Sequence, residues 1–464
     1  MPGMASPSAG DPGERDELPH PVLPERVVGV LRSLADAGHE AALVGGSVRD
    51  LVLGQAPPDN WDVATSALPE QVVALFAGAT WENRFGTVTI GAHPAVEITS
   101  YRAEGDYADR RRPSDVRFGV TLDEDLARRD FTINAMAWLP TDLGAVTGRL
   151  VDPFGGRQDL ADRLLRAVGA PRDRFAEDAL RLVRAARFAG RFGLSLDPAT
   201  EAAIVELAPT VASVSQERIR DELFRMLSLD PAPSGALRLM ERLGLLRVVL
   251  PELAVLRGVP QEKALPGDAL DHTLRAVDAA PTEPEPDLRL AALLHDLGKA
   301  TTLRDGHFIG HEKVGAELAA SVMRRLRVPR ATADRVVGAI RHHMYDYDPA
   351  WTDAAVRRFI QRLHRVDRSL LFALRRVDNA ASGVGAAGDA NQAELEGRMA
   401  AQLAAEPGLL VHRRLAIDGH DLQRELGMEP GPQIGETLER LTELVIDDPA
   451  LNQRSVLLDL ARQR

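Results

Sequence analysis

Three groups of residues in this 464-residue chain have types and spacings that could do chemistry. The first lies near the start. The run Ala41-Ala42-Leu43-Val44 reads as a short strand ending at Gly45-Gly46, with Ser47 capping a helix that continues through Leu53. Strand, paired glycine and helix together can receive phosphate. Glycine lets the backbone approach closely, and the helix offers free N–H groups and the positive end of its dipole. Arg49, one turn into the helix, can fork onto a triphosphate. Most glycine pairs are merely turns, so acids must sharpen the signal. Asp59-Asn60-Trp61-Asp62 follows Gly54, and Val96-Glu97-Ile98 places a carboxylate inside an apolar strand, which is costly unless it is paired or metal-bound. Two acids on one strand with a third on its neighbour can hold two Mg²⁺ ions for phosphoryl transfer. One ion would activate an attacking hydroxyl and the other would neutralise a leaving pyrophosphate. A loop aspartate beside a salt-bridged glutamate is the blander alternative.

The second group is Asp178, Arg181, Arg184 and Arg187, spaced by three on a helical pattern. The third is a set of histidines: seven of the twelve fall within 268–380, in the order His272, His295-Asp296, His311 and His342-His343, with Asp378 beyond them.

The elements that must position these residues follow from the apolar pattern. Pro24 to Ala37 reads as a helix, and Thr87 to Gly91, Ala95 to Tyr101 and Val116 to Val120 read as strands rich in β-branched residues. Past Asp159 strand signals nearly vanish, and helical patterns run over 175–192, 199–207, 215–227 and 234–247. The acidic, proline-rich stretch 281–287 reads as a loop, and the Gly/Ala stretch 382–390 as a linker. The fold class expected is α+β and mostly helical: a small mixed-sheet head, then all-helical regions. Domain limits are placed at 1–24 (a disordered extension), 25–160, 161–260, 261–385 and 386–464.

Composition narrows the chemistry. Apolar residues are 45% and charged residues 27%, which excludes a wholly disordered chain. With no cysteine, disulfides, thiolate zinc sites and cysteine nucleophiles are excluded, so any metal must sit on His and carboxylate ligands. No run of 18 apolar residues occurs, and the N-terminus lacks the apolar core of a secretory signal, so a cytoplasmic protein without membrane partners is expected. Net charge is −12, yet 321–380 carries 13 Arg against 6 Asp. That excess could meet a phosphate backbone, although a solvated helix face is the simpler reading.

Leu43 to Thr65 (LVGGSVRDLVLGQAPPDNWDVAT) resembles the active-site signature of the tRNA nucleotidyltransferase and poly(A) polymerase family. Ala127 to Ala137 (ARRDFTINAMA) resembles its second signature. Asp152 to Gly156 (DPFGG) is similar to its head-to-neck joint, and Glu177 to Phe188 (EDALRLVRAARF) to the base-selecting motif of the bacterial-type branch. The resemblance implies a catalytic head with Asp59, Asp62 and Glu97 as catalytic acids, Mg²⁺ on the aspartates, and Gly45, Gly46, Arg49 and Arg129 on the nucleotide. It further implies CTP, ATP and the tRNA 3′ end as partners. One departure stands out. The family's two acids are separated by one residue, whereas Asp59 and Asp62 are separated by two. A β-bulge can re-aim both carboxylates to one face; otherwise Asn60 takes the place and activity falls.

On one helix face, the Asp178 carboxylate can accept from an exocyclic amine while the Arg181 guanidinium donates to a ring nitrogen. Cytosine and adenine present that pattern; uracil and guanine present its reverse. Arg184 continues the stripe and Arg187 is better placed for phosphate. Without the upstream motifs, helix-surface salt bridges would be the default.

His295-Asp296-Leu-Gly-Lys299 resembles the HD-type metal-dependent phosphohydrolases. That resemblance implies a divalent ion, identity open, on His272, His295, Asp296 and Asp378, with His311, His342 and His343 for a second ion or phosphate. It also implies phosphatase, 2′-nucleotidase or 2′,3′-cyclic phosphodiesterase activity toward RNA ends, with a structural relic as the rival. Ile417 to Glu436 reads as helix, Gly427 stop, turn and new helix, and resembles the family's tRNA-holding tail. The function expected is CCA addition. The alternatives are a poly(A) polymerase, a CC- or A-adding enzyme, an HD hydrolase with an impaired transferase site, and a tRNA-binding protein with both sites silent.

Overall fold

The computed structural model describes residues 21–55, 61–81, 86–91, 96–104, 116–282, 286–384, 386–405 and 415–463. Asp59 and Asn60, and with them the expected bulge, lie outside the described residues, as does most of the expected N-terminal extension. Two compact units form: residues up to 226 with 235–249, and 227–234 with everything from 250 onward.

The first unit is built on β1 (Ala41–Val44), β2 (Trp61–Thr65), β3 (Thr80–Trp81), β4 (Thr87–Ile90), β5 (Val96–Ser100), β6 (Arg102–Glu104), β7 (Val116–Phe118), β8 (Ala137–Asp142) and β9 (Thr147–Val151). Seven of these make a mixed sheet in the order β3-β4-β5-β2-β1-β8-β9, and β6 pairs with β7 as a separate ribbon. Within the sheet β2 and β5 run parallel while the other neighbours are antiparallel. Both central strands are apolar on their inward faces. The helix Glu25–Asp36 buries Val27, Val30, Leu31 and Leu34, and the helix Leu122–Ala127 closes a second cluster with Ala42, Val44, Ala64 and Tyr101. Burying that many aliphatic side chains is what holds so small a sheet, at roughly 1.5–3 kcal/mol for each large one.

Two sequence expectations are corrected here. Ser47 does not cap the first glycine-led helix. Gly45 is its N-cap, with φ +67°, and the Ser47 hydroxyl instead accepts from the Asp62 amide at 3.1 Å, joining the helix to β2. The pattern 175–192 is not one helix: Pro171–Glu177 ends at Asp178, whose backbone is extended, and a new helix runs Leu180–Phe192. The break has a local cause, since the Asp178 carboxylate accepts the Leu180 amide at 3.1 Å and so starts the second helix.

The second unit is helical throughout its described residues, with Ala269–Ala279, Asp287–Leu294, His311–Arg325, Arg330–His342 and Arg368–Ser382 packed around one another. Of the stretch 382–390 expected to be a linker, Gly383 (φ +73°) does end the helix Arg368–Ser382, but from Ala386 the chain is a helix again, Ala386–Ala405. Its Ala, Gln, Glu, Leu and Met residues outweigh two glycines, and Leu395 and Met399 are buried. The arginine-rich segment is no bare basic patch: Arg335 pairs with Asp287 and Asp367, Arg358 with Glu443 and Asp447, and Arg376 with Glu396. At the end, Gly419–Leu426 stops at Gly427 (φ +64°), and Pro432–Asp447 and Arg454–Arg462 pack on Leu422. Among the described residues no helix is long and apolar enough to cross a membrane.

Candidate active site and metal centre

In the first unit a cleft of about 730 Å³ opens over the sheet. Its lining includes Gly45, Gly46 and Asp62 together with Asp178, Arg181, Arg184 and Arg187, and Arg49 and Arg129. The structure therefore brings together every described residue predicted for the nucleotide. Positive φ at Gly45 suits glycine, and the space demands it too, because a Cβ there would stand 2.8 Å from Arg129 Nη1 and 3.5 Å from Asp62 Oδ2. Backbone, acid and arginine thus meet at one point.

Asp62 and Glu97 are register partners on parallel strands, so their side chains share a face at one strand spacing, roughly 4.8 Å. On β5, Val96, Ile98 and Ser100 are buried, leaving Glu97 and Thr99 on the cleft side. Burial raises the Asp62 carboxyl to about 6, and Glu97 adds to this, while Arg129 opposes it. Two acids crowded on one face, one of them desolvated, are a donor set that suits a hard divalent cation.

Several arginines are held differently from the sequence expectation. Arg49 is buried and already donates to Asp50 and to Asn134 Oδ1 (2.7 Å), with its guanidinium 4.4 Å from the Phe192 ring centroid. Three of its N–H groups are thus engaged within the fold, and the side chain acts as a brace in the cleft wall. Arg129 donates to Asp125 at 3.2 Å and leans over Gly45. The expected Asp178–Arg181 face is remade by the helix break. Asp178 accepts from Arg218 at 2.6 Å, whereas Arg181 donates to Glu177 at 2.5 Å and to two backbone carbonyls. Both side chains still face the cleft.

Sequence reasoning missed the acids that anchor the arginine row. Arg184 donates to Asp130 at 2.7 Å, and Arg187 donates to Glu222 at 2.7 Å while still lining the cleft. Glu222 also meets Arg184 and Arg225. Burial would raise Asp130, but Arg184 and Arg181 more than offset it and hold the carboxyl at about 2. Glu222 is likewise held below its ordinary range by Arg184 and Arg187 despite burial. Glu222 at helical spacing from Arg218 and Arg225 was the available signal. It has no meaning until the helix Gln216–Leu229 is placed.

In the second unit a cavity of about 670 Å³ is lined by Asp296, His311, His343 and Asp378. Asp296 sits at its centre: His272 Nε2 and His295 Nε2 lie 3.4 and 3.2 Å from Oδ2, and His311 Nε2 lies 3.5 Å from Oδ1. Asp378 Oδ1 is 3.1 Å from His272 Nε2. His295, His311 and His343 each use Nδ1 on the carbonyl three residues earlier, at 2.7–2.8 Å. Those bonds fix the tautomer that presents Nε2 as an acceptor, and the three Nε2 atoms are buried without a hydrogen-bond partner. Burial, with His295 beside it, pushes the His343 imidazole down to about 3, so it stays neutral as a ligand must. Two overlapping triads result: His272, His295 and Asp296, and Asp296, His311 and His343. His342 does not join them. It points away on the helix end, beside Arg341 and Arg362, because its neighbour His343 takes the inward direction.

Comparison with known proteins places the Gly45 and Asp62 part of the cleft and the histidine–aspartate centre within regions that match family models. Residues 41–166 match the family described as Poly A polymerase head domain, 193–256 its probable RNA and SrmB-binding site, and 270–380 the HD domain. A CCA-adding enzyme of Geobacillus stearothermophilus is 34% identical over 435 residues, covering 93% of this chain and 94% of that protein. An A-adding tRNA nucleotidyltransferase of Deinococcus radiodurans is 36% identical over 431 residues, covering 87% and 91% respectively. The crystal structure of the Bacillus stearothermophilus CCA-adding enzyme in complex with CTP superimposes with a TM-score of 0.66 at 30% identity, covering 94% of this chain and 96% of that one. With its head, RNA-binding and HD regions in that order, the chain belongs to the tRNA nucleotidyltransferase and poly(A) polymerase family.

Proposed function

We propose that this protein completes or repairs the 3′ CCA end of tRNA, adding C, C and A from CTP and ATP without a template. One observation carries the reading: a single cleft is lined both by Gly45, Gly46 and Asp62 and by Asp178 and Arg181, so one nucleotide can be held by its phosphates and its base together. In this reading the backbone at Gly45 and Gly46 lies against the triphosphate, and Arg129 donates to it. Asp62 and Glu97, with Asp59, would hold divalent ions, Mg²⁺ by preference, which supply charge neutralisation for the attacking 3′-hydroxyl and the departing pyrophosphate. Asp178 accepts from the exocyclic amine of C or A while Arg181 donates to the ring nitrogen; U or G would set a carbonyl against the carboxylate and an N–H against the guanidinium. The names of the relatives support tRNA as the acceptor, and such a substrate implies a cytoplasmic location. The chain end around Ile434-Gly435 is proposed to receive the tRNA backbone.

The test is extension of tRNA lacking its last three nucleotides with labelled CTP and ATP. Full CCA addition is expected. Addition of A alone onto a CC end would make the protein an A-adding enzyme, and long A tails a poly(A) polymerase. Asp178→Ala should lower C and A incorporation together and narrow the preference over U and G by about 10- to 100-fold; unchanged selectivity would remove Asp178 from base reading.

A second activity rests on the buried orphan nitrogens of His295, His311 and His343. We infer a metal-dependent phosphohydrolase acting on RNA 3′ ends, read as hydrolysis of a 2′,3′-cyclic nucleotide. The double change His295→Ala, Asp296→Ala should abolish it without affecting CCA addition, and no hydrolysis with any divalent ion would make the region a relic.

A further inference from the structure

The cavity that holds the histidine–aspartate centre has a second lining of different chemistry. Phe308, Ile309, Met344 and Val384 all border it, and three of them face solvent: Ile309 is 88% exposed, Val384 53% and Met344 49%. Single exposed apolar side chains are ordinary on a protein surface. Three that border one cavity beside an aromatic ring are not scattered, and none of them serves the centre as a ligand.

This apolar wall is built into the backbone. Arg304 and His307 exchange backbone hydrogen bonds at 2.9 and 2.8 Å around Asp305-Gly306, both at positive φ, which makes a tight two-residue hairpin turn. The turn delivers Phe308, whose ring stands edge-on to His311 with centroids 6.4 Å apart. Val384 is fixed by another device. The helix Arg368–Ser382 ends at Gly383, and the Val384 amide donates to the Asn379 carbonyl at 3.1 Å.

Arg375 joins the wall to the centre, with Nη1 3.7 Å from Met344 Sδ and 3.4 Å from Asp378 Oδ2. Both contacts are long for a guanidinium, so this side chain can exchange them for an anion at little cost. A phosphoryl-binding centre, an adjoining guanidinium and an apolar wall match the phosphate and the base of one nucleotide. The volume of about 670 Å³ suits a single small ligand and is too small for a duplex.

We propose that this cavity recognises a nucleoside 2′,3′-cyclic phosphate by its base as well as its phosphate: the base lies against Phe308, Ile309, Met344 and Val384, and Arg375 donates to the phosphate at the histidine–aspartate centre. This rests on the reading of the centre as a phosphohydrolase and names what the site holds besides phosphate. Stacking and apolar contact accept any base, so the wall separates nucleotides from base-free cyclic phosphates and does not select a sequence.

The experiment compares three substrates on the full-length chain, with Mg²⁺, Mn²⁺, Co²⁺ and Zn²⁺ in turn: adenosine 2′,3′-cyclic phosphate, a short RNA ending in that group, and methyl riboside 2,3-cyclic phosphate, which has no base. The parent should prefer the adenosine compound over the base-free one by about tenfold or more in kcat/KM. Phe308→Ala, and the pair Ile309→Ser, Val384→Ser at exposed positions, should each raise KM for the adenosine compound about tenfold, leave its kcat within about twofold, and spare the base-free substrate. Arg375→Ala should raise KM for all three, with partial rescue by Arg375→Lys. A lower KM for the RNA than for the mononucleotide assigns the ligand to RNA ends, and equal values assign it to free nucleotides. Equal turnover of the base-free substrate by the parent, or wall variants that slow it as much as the adenosine compound, would overturn the proposal. A second readout needs no turnover: 8-azidoadenosine 2′-monophosphate is photo-cross-linked to the chain and the label mapped by mass spectrometry. Label on Phe308, Ile309, Met344 or Val384 is expected, and label confined to the head would overturn the assignment. Label at the wall without hydrolysis under any ion would defeat the phosphohydrolase reading alone.

Discussion

Asp62→Ala is expected to reduce nucleotide addition by about a thousandfold or more, with the chain still folded. The size follows from the task. Neutralising charge on a transferring phosphoryl group is worth several kcal/mol, and each 1.36 kcal/mol is tenfold in rate. Asp62 is the described acid that stands in the cleft next to Gly45 and Arg129, on the same face as Glu97. Asp62→Asn keeps the shape and loses only the charge, so it should fail almost as badly. Unfolding cannot be the cause, because burial and Glu97 already disfavour this carboxylate in the ion-free protein. The thermal midpoint of Asp62→Asn in chelator should therefore equal or exceed that of the parent. Retained activity with an unchanged midpoint would remove Asp62 from catalysis. The same assay on Asp59→Ala and Asn60→Ala decides which of the two pairs with it.

Glu222→Gln should cost the first unit about 3–5 kcal/mol, because it leaves buried guanidinium groups without their counter-charge. Glu222 is almost wholly inaccessible, and Arg184, Arg187 and Arg225 all converge on it. Denaturant midpoints followed by a probe in that unit would show the loss. Nucleotide selectivity should fall as well, since Arg184 and Arg187 line the cleft. The pH dependence has a defined sign. The folded Glu222 carboxyl lies below the ordinary 4.5, so its contribution is present above about pH 4.5 and is lost as pH falls through the lowered value. Asp130, held at about 2, extends that loss further into acid. The variant should show a shallower acid-side decline. A midpoint within about 0.5 kcal/mol of the parent would mean the network is decorative.

Much of this was legible along the chain because it depends on local spacing. Strand, Gly45-Gly46 and helix follow from a few consecutive residues, and so does the alternation that sets Glu97 apart from Val96 and Ile98. His295-Asp296 and the end of the helix at Gly427 are legible for the same reason. The misreadings were also local. Ser47 has the chemistry of a cap, but β2 offered its hydroxyl an amide to accept from, and Gly45 could adopt the φ that the turn needs. Asp178 fits a helical face, yet its own carboxylate favoured starting a new helix.

The order of motifs, the absence of thiolate chemistry and the residues able to face a nucleotide or an ion were therefore settled by the amino-acid string alone. Partnership was not. That Asp178 bonds Arg218 across forty positions, that Glu222 gathers three arginines, and that Lys263 reaches Asp378 from more than a hundred residues away depend on how helices pack. A charged side chain's role is set by which opposite charge it meets out of water, and only the folded chain creates that dry meeting place.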